Sequence, residues 1–132
     1  LFISAGAPAD FTPANVREQK VKKQDKWTLE LDRAVDILEE IGKKKGRTVL
    51  VGFAAETTNI EEHARKKLKK KNLDLIVAND VSGPNGAFGS DTNQVTLISR
   101  DGDKVEWPVM SKREVANEIL DYVRDHFMEA LR

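Results

Sequence analysis

Two continuous apolar runs, separated by a stretch long enough for a single helix, restrict this chain more than any other feature. Thr48 to Phe53 reads Thr-Val-Leu-Val-Gly-Phe, and Leu73 to Ala78 reads Leu-Asp-Leu-Ile-Val-Ala. Runs without polar alternation belong to strands covered on both faces, as central parallel strands are. Between them Asn59 stands three residues before Glu62, a capping-box pattern, and Ile60, Ala64 and Leu68 make an apolar stripe that runs on to Lys71. Strand, helix and strand in this order favour parallel pairing with a right-handed crossover.

The flanking segments extend that unit. Phe2 to Ala5 suits a short buried strand, and Gly6 to Pro13 reads as a loop because it carries Gly and two Pro. Lys26 to Leu31 alternates as a half-buried strand does, whereas Arg17 to Gln24 has no apolar period and reads as a solvated, mobile loop. Ala34, Val35, Ile37, Leu38 and Ile41 predict a short helix capped by Asp32 and stopped by Gly42. After a polar loop over Ser82 to Asn93, Gln94 to Ser99 and Lys104 to Pro108 flank Asp101-Gly102 as a hairpin. A last helix starts near Ser111, with Glu114 completing a capping box and Val115, Ile119, Leu120, Val123, Phe127 and Leu131 on its apolar face. The expected class is α/β: a Rossmann-like three-layer sheet with parallel central strands and a late antiparallel hairpin.

Composition narrows the function. The 132 residues suit one domain, and 22 basic against 22 acidic residues leave no overall field to gather nucleic acid or an anionic membrane. The chain has no cysteine, so thiolate chemistry and disulfides are excluded, and the cytosol is the expected compartment. No stretch approaches the roughly 18 apolar residues of a membrane span. His63 and His126 lie far apart with no metal-ligand spacing, so no protein metal site is expected. No Walker loop, Gly-x-Ser-x-Gly or Gly-x-Gly-x-x-Gly occurs.

What remains is local charge and the edge of the sheet. Lys67 and Lys71 share a helical face and can meet one phosphate or two neighbouring ones, or simply be solvated. Lys20, Lys22 and Lys23 lie in a loop, where spacing fixes no geometry. Gly52 to Glu56 and Asn79-Asp80 close the two buried strands at the edge where open α/β sheets hold ligands; tight packing and a plain turn explain them equally well. Trp27 and Trp107 sit in strand-like segments and read as core or interface residues.

Taken together, Ala9-Asp10-Phe11, Lys20 to Gln24, Val51 to Thr57, Lys71 to Ser82 and Phe88 to Asn93 resemble, in order, the motifs of bacterial phosphopantothenoylcysteine synthetases. Those enzymes are usually the C-terminal half of a fusion with a flavin-dependent decarboxylase. The resemblance covers nearly the whole chain. It implies a ligase of coenzyme A biosynthesis that joins 4'-phosphopantothenate to L-cysteine through an acyl-cytidylate formed from CTP, with Mg2+ accompanying the nucleotide. FMN would belong to the decarboxylase half only. It further implies a homodimer, with Lys26 to Leu31 near the subunit contact and the lysine loop reaching the neighbour's site.

Carried over by position, Lys20 would neutralise phosphate as the catalytic cation, and Lys67 and Lys71 would bind the triphosphate. Phe53 would line the nucleotide pocket, and Gly6 and Asp10 would lie beside the nucleotide. Val35, Asp36, Ile37 and Leu38 align with the turn whose backbone reads the base. Ala5, Ala7 and Asn79 align with substrate contacts. Two departures stand out: Ala34-Val35 where the family has Asn-Pro, and Gly6 and Pro8 in a run the family makes alanine-rich. Residues 1–132 are thus expected to be the C-terminal portion of the CTP-binding domain, without its N-terminal glycine-rich strand and loop, so that this piece binds nucleotide without full activity. The alternative is a non-catalytic nucleotide-binding or dimerising α/β module.

Overall fold

The computed structural model describes residues 1–82 and 90–131. In chain order the elements are β1 (Phe2–Ser4), β2 (Phe11–Pro13), β3 (Leu31–Arg33), α1 (Ile37–Lys44), β4 (Leu50–Glu56), α2 (Ile60–Lys70), β5 (Leu75–Asp80), β6 (Thr92–Asn93), β7 (Val95–Ser99), β8 (Lys104–Glu106), β9 (Met110–Ser111) and α3 (Lys112–Leu131). The main sheet has the order β1-β4-β5-β7-β8. Strands β1, β4 and β5 are parallel, with Ser4 beside Gly52 and Ala54 beside Ala78; β7 and β8 are antiparallel. The expected α/β class, with parallel centre and late hairpin, is the class observed.

The two apolar runs are the centre because both of their faces are covered. Leu50, Ala54, Ile76 and Ala78 pack with Leu38 of α1 and with Ala64 and Leu68 of α2. Val51, Leu75, Val77, Val95 and Leu97 pack with Val115, Ile119 and Val123 of α3. Alternation along each strand therefore sends side chains into two apolar clusters, one on each side of the sheet. The expected apolar face of α3 holds except at Leu120, which is exposed; the Leu131 side chain and the Gly83 to Gly89 part of the polar loop lie outside the described residues.

Helix ends account for several differences from expectation. The Ser111–Glu114 capping box forms as expected: the Ser111 amide donates to Glu114 Oε2 at 2.8 Å, and the Glu114 amide donates to Ser111 Oγ at 3.2 Å. The Asn59–Glu62 box does not form. Asn59 is left-handed (φ 47°) and its side chain caps nothing, while Glu62 pairs with Lys66 instead. Helix α1 is capped by Asp36, not Asp32, and its stop is Gly46 (φ 53°), which has the left-handed conformation that favours glycine after a helix. Gly42 is an interior helical residue; a Cβ there would lie 2.0 Å from the Lys71 carbonyl oxygen, so its smallness lets α1 approach the end of α2. Helix α2 ends in a Schellman motif, with the Leu73 amide donating to Leu68 O at 2.9 Å, the Asn72 amide to Lys69 O at 3.3 Å, and Asn72 left-handed.

Strand limits differ where pairing decides them. Phe2–Ser4 is an edge strand, half open to solvent rather than buried. The strand expected at Lys26 to Leu31 lies at Leu31–Arg33, because its partner is Phe11–Pro13 in a separate two-stranded ribbon; that partner segment was expected to be loop. Trp27 is 63% exposed and outside the core of this chain, whereas Trp107 packs against the α3-side cluster. The short β6–β9 pair is a further ribbon that periodicity did not reveal.

Opposite the C-terminal edge of the parallel strands, Asp74 ties the fold together. Its carboxylate accepts from Lys45 Nζ at 2.7 Å on each oxygen and from the Leu50 amide at 2.8 Å, and Arg100 Nη1 lies 3.5 Å away.

Candidate functional site

Because β1, β4 and β5 run parallel, Ser4, Glu56 and Asp80 finish along one edge of the sheet, where the loop after β1 and the turn between β4 and α2 begin. Beside that edge, on the side of α1 and α2, an open cleft of about 430 Å³ is lined by Pro8, Asp10, Val35, Asp36, Lys70 and Lys71, among others. The Ala34 amide donates to the Asp10 carbonyl at 2.8 Å, which holds the turn before α1 against the loop after β1.

Asp36 carries two contacts at the mouth of this cleft. Oδ1 accepts from the Glu39 amide at 3.0 Å, capping α1, and Oδ2 lies 2.8 Å from Lys71 Nζ. Partial burial raises its pKa, but the Lys71 hydrogen bond, the Glu39 amide and the nearby Lys70 charge outweigh it and hold the carboxyl below its usual range. Lys71 is the C-cap of α2, where the helix dipole also favours a cation.

One turn earlier, Lys67 Nζ meets Glu56 Oε1 at 2.7 Å, and His63 Nδ1 lies 3.1 Å from Glu56 Oε2. Lys70 pairs more loosely with Glu39 at 3.4 Å. The basic face of α2 is therefore neutralised lysine by lysine, by carboxylates from α1 and β4 and by Asp36. Sequence spacing identified the lysines but not these partners, since each acid lies on another element.

The expected site residues separate into two groups across the sheet. Asp10, Val35, Asp36, Lys67 and Lys71 are on the side of α1 and α2. Phe53 alternates with Val51 and so faces α3; with Ile3, Ala5 and Leu120 it lines an apolar groove of about 420 Å³. Asn79 follows Val77 on that same face, and its Oδ1 is buried without a hydrogen-bond partner among the described residues. Such an orphaned acceptor is a natural contact for a ligand donor.

Ile37 is exposed at the start of α1, while the Leu38 side chain is buried in the core, leaving only its backbone for recognition. Gly6, Ala7 and Lys20 are exposed and line neither the cleft nor the groove. At Gly52 the packing explanation prevails: an added Cβ would come within 2.7 Å of Leu73 and 3.1 Å of Leu38, so the missing side chain makes room for the core rather than for a ligand. Among the described residues no three His, Cys, Asp or Glu cluster as a metal site, and no helix is long and apolar enough to cross a membrane.

A family model described as the DNA/pantothenate metabolism flavoprotein C-terminal domain matches residues 1–127. The chain is 57% identical over 124 residues to the coenzyme A biosynthesis bifunctional protein CoaBC of Bacillus subtilis strain 168, a match covering 93% of this chain and 30% of that protein. It is 42% identical over 137 residues to the protein of the same name from Escherichia coli K12, covering 100% and 34%. A crystal structure of the C-terminal domain of the coenzyme A biosynthesis bifunctional protein CoaBC superposes with a TM-score of 0.72 at 40% identity, covering 94% of this chain and 53% of that one. The chain thus spans about a third of the length of the curated relatives it matches.

Proposed function

The chain belongs to the DNA/pantothenate metabolism flavoprotein C-terminal domain family, and from that membership we propose that residues 1–132 are the C-terminal portion of a CTP-dependent phosphopantothenate–cysteine ligase of coenzyme A biosynthesis. The observation that carries the proposal is the cleft in which Asp10, the turn at Val35-Asp36 and Lys71 come together, with Lys67 one helical turn away.

In the proposed reaction a carboxylate oxygen of 4'-phosphopantothenate attacks the α-phosphorus of CTP, the bond to the β-phosphate oxygen breaks, and pyrophosphate leaves. The amine of L-cysteine then attacks the acyl carbon, the acyl–phosphate bond breaks, CMP leaves, and the amine proton is lost to solvent. No protein nucleophile is required; the chain's contribution is orientation and charge neutralisation. Lys67 and Lys71 hold the triphosphate, and Lys20, from the exposed loop, neutralises phosphate across a homodimer contact in the cytoplasm. Backbone groups of Val35 to Leu38 read the base. Phe53 approaches the nucleotide from the α3 side, where Ala5 and Asn79 meet the acyl substrate; in the exposed loop after β1, Ala7 adds to the substrate contact and Gly6 adjoins the phosphates.

Asp10 is exposed in the cleft and has no ion pair among the described residues, which suits Mg2+, a cation bound mostly by phosphates and water with one or two carboxylates. When bound, the cation would neutralise triphosphate charge. FMN would belong to a fused decarboxylase half.

A second reading, a structural or dimerising α/β module, draws on the pairing of Lys67 with Glu56 and Lys71 with Asp36, which satisfies both lysines without any ligand. The thermal midpoint measured with Mg2+ and CTP, ATP or no nucleotide decides between them, because a ligand of the folded state alone stabilises it by RT ln(1 + [L]/Kd). A CTP-specific rise is expected. No rise in this chain or in the full-length ligase would overturn the proposal; a rise in the full-length ligase alone would assign binding to the glycine-rich segment as well.

A further inference from the structure

We propose that Glu56 is a positioning residue of the nucleotide site, holding the Lys67 ammonium at the C-terminal edge of the sheet. The inference rests on α2 being the triphosphate-binding helix. Glu56 is fixed twice over. Its main chain ends β4 beside Asp80 of β5, and its carbonyl accepts from the Val81 amide at 3.1 Å. Its side chain is only 13% exposed and is engaged at both oxygens, by Lys67 Nζ at 2.7 Å and by His63 Nδ1 at 3.1 Å.

Lys67, by contrast, stands on a helix face with 44% of its side chain exposed. A free lysine in that position gives up much rotamer freedom when it meets an anion. One already held by a rigid carboxylate gives up less, which is how preorganisation favours binding. An ammonium has three N–H donors, so a lysine bound to Glu56 still has donors for phosphate oxygens. His63 takes part of the carboxylate's hydrogen-bonding demand, so Glu56 need not draw every Lys67 donor to itself. Burial raises the Glu56 pKa, yet the hydrogen bonds and charges of Lys67 and His63 bring it below the ordinary range, so the holding group is an anion at neutral pH.

The test is the KM for CTP and kcat of the full-length ligase carrying Glu56→Ala, Glu56→Gln, Lys67→Ala, or Glu56→Ala with Lys67→Ala, each with its thermal midpoint. Glu56→Ala is expected to raise KM about 10-fold, with kcat lowered less than about 3-fold, as the loss of one charge-assisted hydrogen bond would do. Glu56→Gln keeps an acceptor for the ammonium and is expected to raise KM less. The double variant should be no worse than Lys67→Ala, because the two residues act as one unit. If Lys67→Ala raises KM while both Glu56 variants leave it unchanged or lower it, Glu56 is a bystander or a competitor of phosphate and the positioning role is overturned. If Lys67→Ala itself leaves KM unchanged, the reading of α2 fails and the positioning role fails with it. Should Glu56→Ala not fold, Glu56→Gln and the Lys67 variant carry the same decision.

Discussion

The Asp36 carboxylate fastens two helices with its two oxygens, capping α1 through the Glu39 amide at 3.0 Å and holding Lys71 at the end of α2 at 2.8 Å. The two bonds can be separated by substitution. Asp36→Ala removes both and should cost about 1 kcal/mol for the cap, with the partly exposed ion pair adding no more than about 1 kcal/mol after solvent screening. Asp36→Asn keeps the capping oxygen and should lose only the pair. Urea denaturation of both variants checks this: equal losses would mean that the pair, not the cap, dominates.

Gly42→Ala offers a test in which two physical effects have opposite sign. Helix propensity alone would stabilise α1 by about 1 kcal/mol. The added Cβ, however, would sit 2.0 Å from the Lys71 carbonyl oxygen, which is backbone and cannot swing aside. Overpacking of this kind costs roughly 1–3 kcal/mol, so the variant is expected to be less stable than the wild type in chemical denaturation. A more stable variant would show that α1 can pull back from α2 freely.

Glu56 makes a pH-dependent contribution whose sign follows from its lowered folded-state pKa. Its ordinary value is 4.5, and its contacts with Lys67 and His63 bring it lower in the fold. The stability it contributes is therefore complete above about pH 4.5 and lost as pH falls through the folded value. The stability difference between wild type and Glu56→Gln, measured by urea denaturation between pH 6 and pH 3, should shrink toward the acid end. A difference that stays constant would mean that the carboxylate charge is not its source.

Asp74→Ala would strand Lys45, whose side chain is 10% exposed, and the Leu50 amide. Removing one partner of a buried pair costs about 3–5 kcal/mol. Asp74→Asn can still accept from the Leu50 amide and should cost less. Guanidinium denaturation measures both, and a loss below about 1 kcal/mol for the alanine variant would mean that water reaches Lys45 readily.

The elements legible from sequence were those whose signal is local. The apolar runs of β4 and β5, the spacing of Ile60, Ala64 and Leu68, and the Ser111–Glu114 box all lie within one element or its cap. Positions decided by distant partners were not legible in this way. Asp32 and Asp36 both precede the apolar residues of α1, and only the course of the chain after β3 selects Asp36 as cap. Gly42 looks like a helix stop in sequence because nothing local announces that Lys71, 29 positions on, will press against it. Lys26 to Leu31 has the alternation of a strand, yet pairing with Phe11–Pro13 places the strand at Leu31–Arg33. The lysine pattern of α2 was visible, but that Asp36, Glu39 and Glu56 would each meet one of its charges depends on how α1 and β4 pack around it.

The division of the core by the sheet has an evolutionary consequence. Ala64 and Leu68 pack on one side, Val115 and Ile119 on the other, and the central strands stand between them. Energetic effects of substitutions at sites without shared partners tend to add rather than interact. The layer that carries the charged helix and the layer that borders the apolar groove can therefore accumulate changes on separate schedules, each compensated within its own neighbourhood, so that descendants could alter how they hold an anion without having to relearn how they pack the opposite face.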